Sequence, residues 1–225
     1  MEVAVLDLEF FSQYYHFFVS GVGVTLFLSF FGVFLGVIIG IFLALMKLSK
    51  NGLVNKLAAI YIEIVRGTPL LVQLYIIYYG LPKVTGINMP DLALGIIAVS
   101  INSSAYVAEI IRAGIQSIDR GQMEASRSLG MTHSMSMKYI IIPQAFKNIL
   151  PALGNEFIVL IKESAIVSVV GMHDLMYNAD TIRGISYKPF LPLFIAAIIY
   201  FIITFSLSKL LGMVERRLRA GDTHI

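Results

Sequence analysis

One apolar run, Phe18 to Met46, carries no charged side chain over its whole length. A helix of about 20 apolar residues is enough to cross the hydrocarbon core of a bilayer. The run is longer, so its helix must tilt or extend beyond the membrane. Only 14% of the 225 residues are charged, against about 25% in soluble domains, and the mean hydropathy is +0.81. The sequence therefore predicts an integral membrane protein.

Three glycines in this run, Gly32, Gly36 and Gly40, are spaced four residues apart. On a helix they share one face, which lets another helix backbone approach closely. We interpret the spacing as a packing feature and not as chemistry.

The remaining apolar segments predict an all-α chain that forms one transmembrane domain, 1–225. Five spans are expected, at about 18–46, 57–79, 92–111, 150–170 and 193–211, with a polar segment at about 112–147. Residues 1–16 form a lead-in, and the aromatic cluster from Phe10 to Phe18 is interpreted as an anchor at the membrane surface. The lead-in carries Glu2, Asp7 and Glu9 and no basic residue, which is unlike a cleaved leader, so the first span is expected to be retained.

Basic residues indicate which loops face the cytoplasm. Three of them fall on one side of the predicted spans: Lys83, Arg183 and Lys188. Twelve fall on the other side, which we assign to the cytoplasm: Lys47, Lys50, Lys56, Arg112, Arg120, Arg127, Lys138, Lys147, Lys209, Arg216, Arg217 and Arg219. Five spans then place the amino terminus outside and the carboxyl terminus inside.

Several kinds of chemistry have no residues to support them. There is no cysteine, which excludes disulfides and thiolate metal sites, and there is no phosphate-binding GxxxxGK[ST] sequence. The histidines are scattered (His16, His133, His173 and His224), so no metal site is predicted. We expect no enzyme activity and no cofactor in this chain. The net charge of +3 is explained by basic cytoplasmic loops and not by nucleic-acid binding.

The segment from Glu124 to Pro143 is the most polar long stretch of the chain. Gly130 is expected to end a helix, because glycine adopts the left-handed conformation without a Cβ clash. Thr132 can then cap a second short helix with its hydroxyl. Pro143 has no backbone N–H and marks an interruption or a restart. The segment therefore predicts a helix–glycine–helix unit in the cytoplasm between the third and fourth spans.

This segment resembles the EAA loop of permeases of ABC importers. Five residues match the family pattern at its spacing, and two depart from it, Ser126 in place of Ala and Ile142 in place of Leu. The matching residues are Glu124, Ala125, Gly130, Ile140 and Pro143. The stretch from Arg66 to Gln73, RGTPLLVQ, resembles permeases of polar amino-acid importers.

The resemblance implies a type I ABC importer permease fold in a bacterial cytoplasmic membrane. It implies two ATP-binding cassette ATPase subunits, which would hold ATP and Mg²⁺, and an extracytoplasmic amino-acid-binding protein. A second permease copy, identical or related, is also expected, because five spans are too few to enclose a path. Glu124, Ala125 and Ser126 would lie on the short helix that docks in a cleft of the ATPase.

Glu163 is the candidate that bears most on the substrate. Lys162 and Glu163 are adjacent, and since successive helical side chains point about 100° apart, they cannot share a face. The Lys162–Ser164 segment resembles one in permeases of amino-acid importers, where its second position varies in charge. An acid that faces a cavity would attract a basic amino acid such as arginine, lysine or histidine. Alternatively, Glu163 pairs with a lysine or arginine of the fold.

Other polar residues in the spans have both a binding and a structural interpretation. Asn102, Ser103, Ser164 and Gln73 are candidates for substrate binding, and the alternative is hydrogen bonding between helices. Glu63 and Arg66 are close enough in sequence to pair, as are Glu109 and Arg112, which lie at the cytoplasmic end of the third span.

Two other functions remain open from the sequence. An ion-coupled secondary transporter or channel would need no ATPase and would show paired repeats with broken spans, but no internal repeat is visible. A structural subunit without a substrate path does not account for Lys162, Glu163 and Asn102 within the spans.

Overall fold

A computed structural model describes residues 8–220, and the side chains of residues 9–218. Ten α-helices follow one another in this part of the chain: α1 (Leu8–Lys47), α2 (Gly52–Gly67), α3 (Leu70–Tyr75), α4 (Leu81–Thr85), α5 (Asp91–Gln116), α6 (Arg120–Ser128), α7 (His133–Ser136), α8 (Ile142–Glu163), α9 (Leu175–Ser186) and α10 (Leu191–Ala220). A π-helix continues α3 at Ile76–Gly80, another joins α7 to α8 at Met137–Ile141, and a 3₁₀-helix continues α8 at Ser164–Val170.

The predicted all-α class is confirmed, since none of residues 8–220 forms a strand. The acidic lead-in residues Glu2 and Asp7, the side chain of Arg219, and His224 lie outside the described part, so the inferences that rest on them stay predictions.

Among the described residues, three helices are long and apolar enough to cross a membrane unaided, namely α1, α5 and α10. They contain the predicted spans 18–46, 92–111 and 193–211. The predicted fourth span, 150–170, lies on α8 and its 3₁₀ continuation. α8 is not among the three and carries four charged side chains, Lys147, Glu156, Lys162 and Glu163.

The predicted second span, 57–79, is broken. α2 and the helical stretch from α3 to α4 meet at a bend of 105° and qualify as a span only together. Thr68 lies between them in an extended conformation, because a residue before proline is disfavoured in the helical region. Pro69 then stands at the cap of α3. The predicted second span therefore contains a sharp bend between α2 and α3.

The glycine stripe of α1 packs against α5, as the spacing predicted. A Cβ added to Gly32 would lie 2.8 Å from Val99, one added to Gly36 3.0 Å from Ser103, and one added to Gly40 2.6 Å from Val107. Each step of four residues on α1 matches four on α5, so the two helices run in the same direction. In contrast, Gln73 of α3 contacts Asn102, while Tyr78 contacts Asp91. The stretch from α3 to α4 thus runs antiparallel to α5.

Two segments interpreted as loops or surface anchors are part of the helical core. The segment between the predicted fourth and fifth spans, which the sequence indicated to be a polar loop from Gly171 to Lys188, contains α9. Leu175, Ala179 and Ile182 of α9 are buried against α1 and α10. Phe10 and Phe18 were expected at the membrane surface, but both are buried in this same cluster. The aromatic cluster therefore serves packing at these two positions, because α9 covers the first turns of α1.

Hydrogen bonds to α1 hold the amino-terminal end of α9. The Asp174 carboxylate accepts from the backbone N–H groups of Met176 and Tyr177 at 3.2 and 2.9 Å and so caps α9. The N–H of Leu175 donates to Thr25 Oγ1 at 3.2 Å. Asn178 Nδ2 donates to the carbonyl of Phe17 at 2.8 Å. These bonds fix α9 against the amino-terminal half of α1.

Candidate functional site

The α5–α8 loop, residues 117–141, begins with a helix whose two ends are both capped. Asp119 Oδ1 accepts from the N–H of Gly121 at 2.7 Å and starts α6. At the other end, Gly130 has φ +85°. Its N–H donates to the carbonyl of Arg127 at 3.1 Å, and the N–H of Met131 donates to the carbonyl of Ser126 at 3.2 Å. This pair of bonds is a Schellman motif, and the predicted role of Gly130 is confirmed.

The three residues at the start of the motif do not all face the same way. Glu124 and Ala125 are exposed, whereas Ser126 is buried and its hydroxyl donates to the carbonyl of Met123 at 2.9 Å. The Glu124 carboxylate makes no ion pair with any of the described residues. Leu129, at the end of the same helix, is 85% exposed. The end of α6 therefore exposes an apolar side chain and a carboxylate, while the hydroxyl of Ser126 is bonded within its own helix.

The second half of the loop is continuous with α8. Thr132 caps α7 as predicted, because its Oγ1 accepts from the N–H of Met135 at 3.2 Å. The π-helix that follows contains the half-buried Ile140 and passes directly into α8, with Pro143 in the first turn. Proline cannot donate a backbone hydrogen bond, and the wider turn just before it accommodates that loss. Pro143 thus marks a change of helix type and not a break.

Polar side chains tie the first half of the loop to α8 as well. Asn148 Nδ2 of α8 donates to Ser117 Oγ at 2.9 Å, just after the end of α5. Gln144 Nε2 donates to the carbonyl of Ile140 at 2.8 Å and lies 3.5 Å from Gln122 Oε1 of α6. A displacement of α6 is therefore passed to the carboxyl-terminal end of α5 and the amino-terminal end of α8.

Glu109 joins three helices close to the same end of the bundle. Its carboxylate lies 2.7 Å from Lys47 Nζ at the end of α1 and 2.8 Å from Arg112 Nη2 on α5. The predicted pair of Glu109 and Arg112 is confirmed. Arg66 at the end of α2 also lies 3.8 Å from Glu109 and over the ring of Tyr106. The predicted pair of Glu63 and Arg66 is wrong, since Arg66 turns to the carboxylate on α5.

Gln73 and Asn102, two predicted binding residues, are buried and contact each other. Asn102 Nδ2 donates to Gln73 Oε1 at 3.2 Å. Gln73 Nε2 donates in turn to the carbonyl of Val65 at 2.7 Å and to Thr68 Oγ1 at 2.9 Å. These acceptors lie at the break between α2 and α3, where the helical hydrogen-bond ladder is interrupted. Both amides therefore stabilise the bend.

Ser103 and Ser164 differ in what they contact. Ser103 Oγ donates to Glu156 Oε1 of α8 at 3.0 Å, whereas the buried hydroxyl of Ser164 donates to the carbonyl of Ile161 at 2.9 Å within its own turn. Ser164 is fully buried and does not reach a surface where a ligand would bind. The hydrogen bond of Ser103 draws attention to Glu156, which was not among the predicted site residues.

Glu156 and Glu163 lie on one side of α8. They are seven residues apart, so their side chains point within about 20° of each other. Glu163 is exposed, and it forms no ion pair with the described residues. The sequence shows the seven-residue spacing of the two acids but not that Glu156 faces Ser103 of α5. Together the two carboxylates provide acceptors suited to an ammonium or guanidinium group. Across the described residues, no group of three or more His, Cys, Asp or Glu is placed to hold a metal ion.

Comparison with known proteins gives one family. The family model described as "Binding-protein-dependent transport system inner membrane component" matches residues 36–220. The arginine transport system permease protein ArtQ of Bacillus subtilis (strain 168) is 43% identical over 206 residues, which cover 92% of this chain and 94% of that protein. The putative glutamine transport system permease protein GlnP of Rickettsia bellii (strain RML369-C) is 45% identical over 202 residues, or 90% of this chain and 93% of that one.

Solved structures share the fold. A crystal structure of an amino acid ABC transporter with histidines contains a chain that is 55% identical, with a TM-score of 0.89 over 96% of this chain and 100% of that chain. An inward-facing conformation of the MetNI methionine ABC transporter has a TM-score of 0.69 over 87% of this chain and 95% of that chain. At 21% identity, this second likeness concerns the fold alone.

Proposed function

Because the chain belongs to the family of binding-protein-dependent transport system inner membrane components, we propose that it is the membrane-spanning subunit of an ATP-driven importer that moves polar amino acids into the cytoplasm. The relatives that it matches are named as permeases for arginine and for glutamine. In this proposal the chain crosses the membrane five times, by α1, the stretch from α3 to α4, α5, α8 with its 3₁₀ continuation, and α10. The amino terminus is then outside and the carboxyl terminus in the cytoplasm.

The α5–α8 loop receives force from an ATPase in this proposal. Two ATP-binding cassette subunits, which hold ATP and Mg²⁺, bind one loop each from two permease copies, identical or related. The exposed Glu124, Ala125 and Leu129 are the contact residues. Gly130 and Pro143 shape the loop, while Ser126 and Ile140 hold it together. An extracytoplasmic amino-acid-binding protein delivers the substrate from the other side.

Alternating access then follows from the connections of the loop. α6 is tied to α8 through Gln122 and Gln144, and the end of α5 is tied to α8 through Ser117 and Asn148. ATP-driven closure of the ATPases would move α5 and α8 together. Ser103 and Glu156, which bridge these two helices farther from the loop, would move with them.

The substrate is a basic amino acid in this proposal, and Glu163 is the observation that carries it. An exposed carboxylate without a cation partner among the described residues is costly inside a membrane protein unless it serves function. Glu163 with Glu156 would bind the α-ammonium and the side-chain cation. Ser103 orients Glu156, and Asn102 with Gln73 holds the adjacent bend.

The test is uptake by vesicles that contain the permease, its ATPase and the binding protein. Glu163→Gln should lower arginine uptake by about ten-fold or more, the size expected from one hydrogen bond to a charged group. Glu63→Gln, an exposed carboxylate on α2, is the matched control and should leave uptake unchanged. Normal arginine uptake and unchanged selectivity against glutamine in Glu163→Gln would refute the basic specificity.

A further inference from the structure

α2 has three different faces. Ala58, Ile62 and Val65 are buried, and Ile62 and Val65 pack with Ala44 of α1 and Ala105 of α5. A second face is apolar but exposed, and we call it the α2 stripe: Leu53, Leu57, Ile60 and Ile64. The third face is polar and carries the exposed Lys56 and Glu63.

The angular order of these faces is that of a helix at a membrane surface. At 100° per residue, the four side chains of the α2 stripe fall within about 60° of arc. Lys56 and Glu63 lie about 70 to 90° from the centre of the stripe, and the buried face lies on its other side. A helix with adjacent apolar and polar faces lies in the interface plane, with one face among acyl chains and the other in water.

The bend places α2 across the bundle. α2 turns by 105° into the stretch from α3 to α4, which runs alongside α5. Tyr61 of α2 donates to the carbonyl of Ile101 at 3.3 Å, and Arg66 reaches Glu109. The contact with Ile101 lies near the middle of α5, and the contact with Glu109 lies on the half of α5 that leads into the α5–α8 loop. α2 therefore lies crosswise on the same side of the bundle as that loop.

Basic side chains on and next to α2 outnumber acidic ones. Residues 47–67 carry four basic side chains, Lys47, Lys50, Lys56 and Arg66, and one acid, Glu63, while Glu109 and Arg112 of α5 add one charge of each sign. Lys50 and Lys56 form no ion pair within residues 8–220. The Arg66 side chain is 45% exposed despite its contact with Glu109. This edge of α2 thus has positive charge that residues 8–220 do not neutralise.

We propose that α2 is an in-plane helix of the cytoplasmic leaflet that binds anionic phospholipid. The lipid phosphate contacts Lys50, Lys56 and Arg66, and its acyl chains cover the α2 stripe. A second copy of the chain is the alternative occupant, but a symmetric contact through this face would bring the same unneutralised lysines together. The proposal goes beyond the transport function and does not depend on the substrate.

The position of α2 can be measured by spin labelling, since the chain has no cysteine. Leu57→Cys and Ile64→Cys would be labelled in the full-length chain reconstituted in vesicles. We expect high accessibility to oxygen and low accessibility to a water-soluble nickel chelate at both positions, and the reverse order for Lys56→Cys. Low accessibility to both reagents at Leu57 and Ile64 would mean that protein covers the stripe, and high accessibility to nickel there would mean that water does. Either result overturns the proposal.

The charge preference needs a second measurement. The full-length chain, in vesicles of equal parts phosphatidylglycerol and phosphatidylcholine, is extracted and its bound lipids are counted by native mass spectrometry. Removing one basic contact should weaken phosphatidylglycerol binding about five-fold, so the double variant Lys50→Gln with Lys56→Gln should lose most of the preference. The control is Lys209→Gln, an exposed lysine of α10. An unchanged preference in the double variant, or an equal loss in the control, would overturn the proposal.

Discussion

Gly130 ends α6 through its backbone conformation alone. Its φ is +85°, and a Cβ added there would meet no atom within 4 Å. Gly130→Ala therefore adds strain without a clash, at a cost of about 1 kcal/mol or slightly more for a left-handed alanine. We expect a lower midpoint of thermal unfolding in detergent.

Gly184 provides the matched control for this substitution. A Cβ there also meets nothing within 4 Å, but Gly184 lies within α9 and does not have a positive φ. Alanine is the better helix former by about 1 kcal/mol, so Gly184→Ala should raise the midpoint or leave it unchanged. Equal destabilisation by both substitutions would show that the conformation of Gly130 is not what matters.

Asp174 makes the free energy of unfolding depend on pH. Burial raises the pKa of its carboxyl from an ordinary 3.8 to about 6, although the backbone N–H groups of Tyr177 and Met176 favour the charged form. The folded protein therefore binds this proton more tightly than the unfolded chain does. As pH rises from about 4 to about 6 the free energy of unfolding must fall, by roughly 3 kcal/mol in total, and it is then constant.

Asp174→Asn isolates this contribution. Asparagine caps a helix as well as aspartate does but does not titrate. We expect the variant to lose the fall in unfolding midpoint between about pH 4 and pH 6, and to be the more stable protein at neutral pH. A variant with the same pH dependence as the parent would show that other groups are responsible.

At the scale of elements, the seam between α1 and α5 requires glycine. A Cβ at Gly40 would lie 2.6 Å from Val107 Cγ1 and 2.9 Å from the backbone carbonyl of Ser104. Gly40→Ala must push the two helices apart, at a cost of about 1–3 kcal/mol, and should lower the unfolding midpoint. Gly23→Ala, on the same helix but with nothing within 4 Å of the added Cβ, should not. Similar midpoints for both variants would contradict this account of the seam.

Elements that depend on local chemistry were predictable from the sequence. Gly130 and Thr132 act within their own helix ends, and Gly40 acts through helix periodicity.

α9 was missed because Asp174 and Asp180 made its segment resemble a polar loop. Its signal was an apolar i, i+4, i+7 pattern following an aspartate at the N-cap position.

Features that depend on contacts distant in sequence were not predictable. Arg66 is three residues from Glu63, yet it turns to Glu109, whose approach depends on how α2 crosses α5. Gln73 and Asn102 were chosen as polar groups within spans, and only the fold shows that they hold the bend at Thr68. Glu156 was identified only from the structure, in which Ser103 of α5 donates a hydrogen bond to its carboxylate.

At the scale of the whole molecule, the loop motif and the comparisons agree on the family. The resemblance stated from Glu124 to Pro143 is confirmed by the family model over residues 36–220. The chain is an inner-membrane transport component, and its relatives are permease subunits, not ATPases. That ATP drives the transport, and that transport runs into the cytoplasm, are parts of the proposed function.

ATP-dependent uptake of arginine tests this function most directly. Vesicles would contain the permease and its ATPase, with the binding protein added outside and ATP enclosed. We predict that uptake requires both ATP and the binding protein, and that it persists when proton and sodium gradients are dissipated. Uptake that proceeds without the ATPase and stops when an ion gradient is removed would contradict the account.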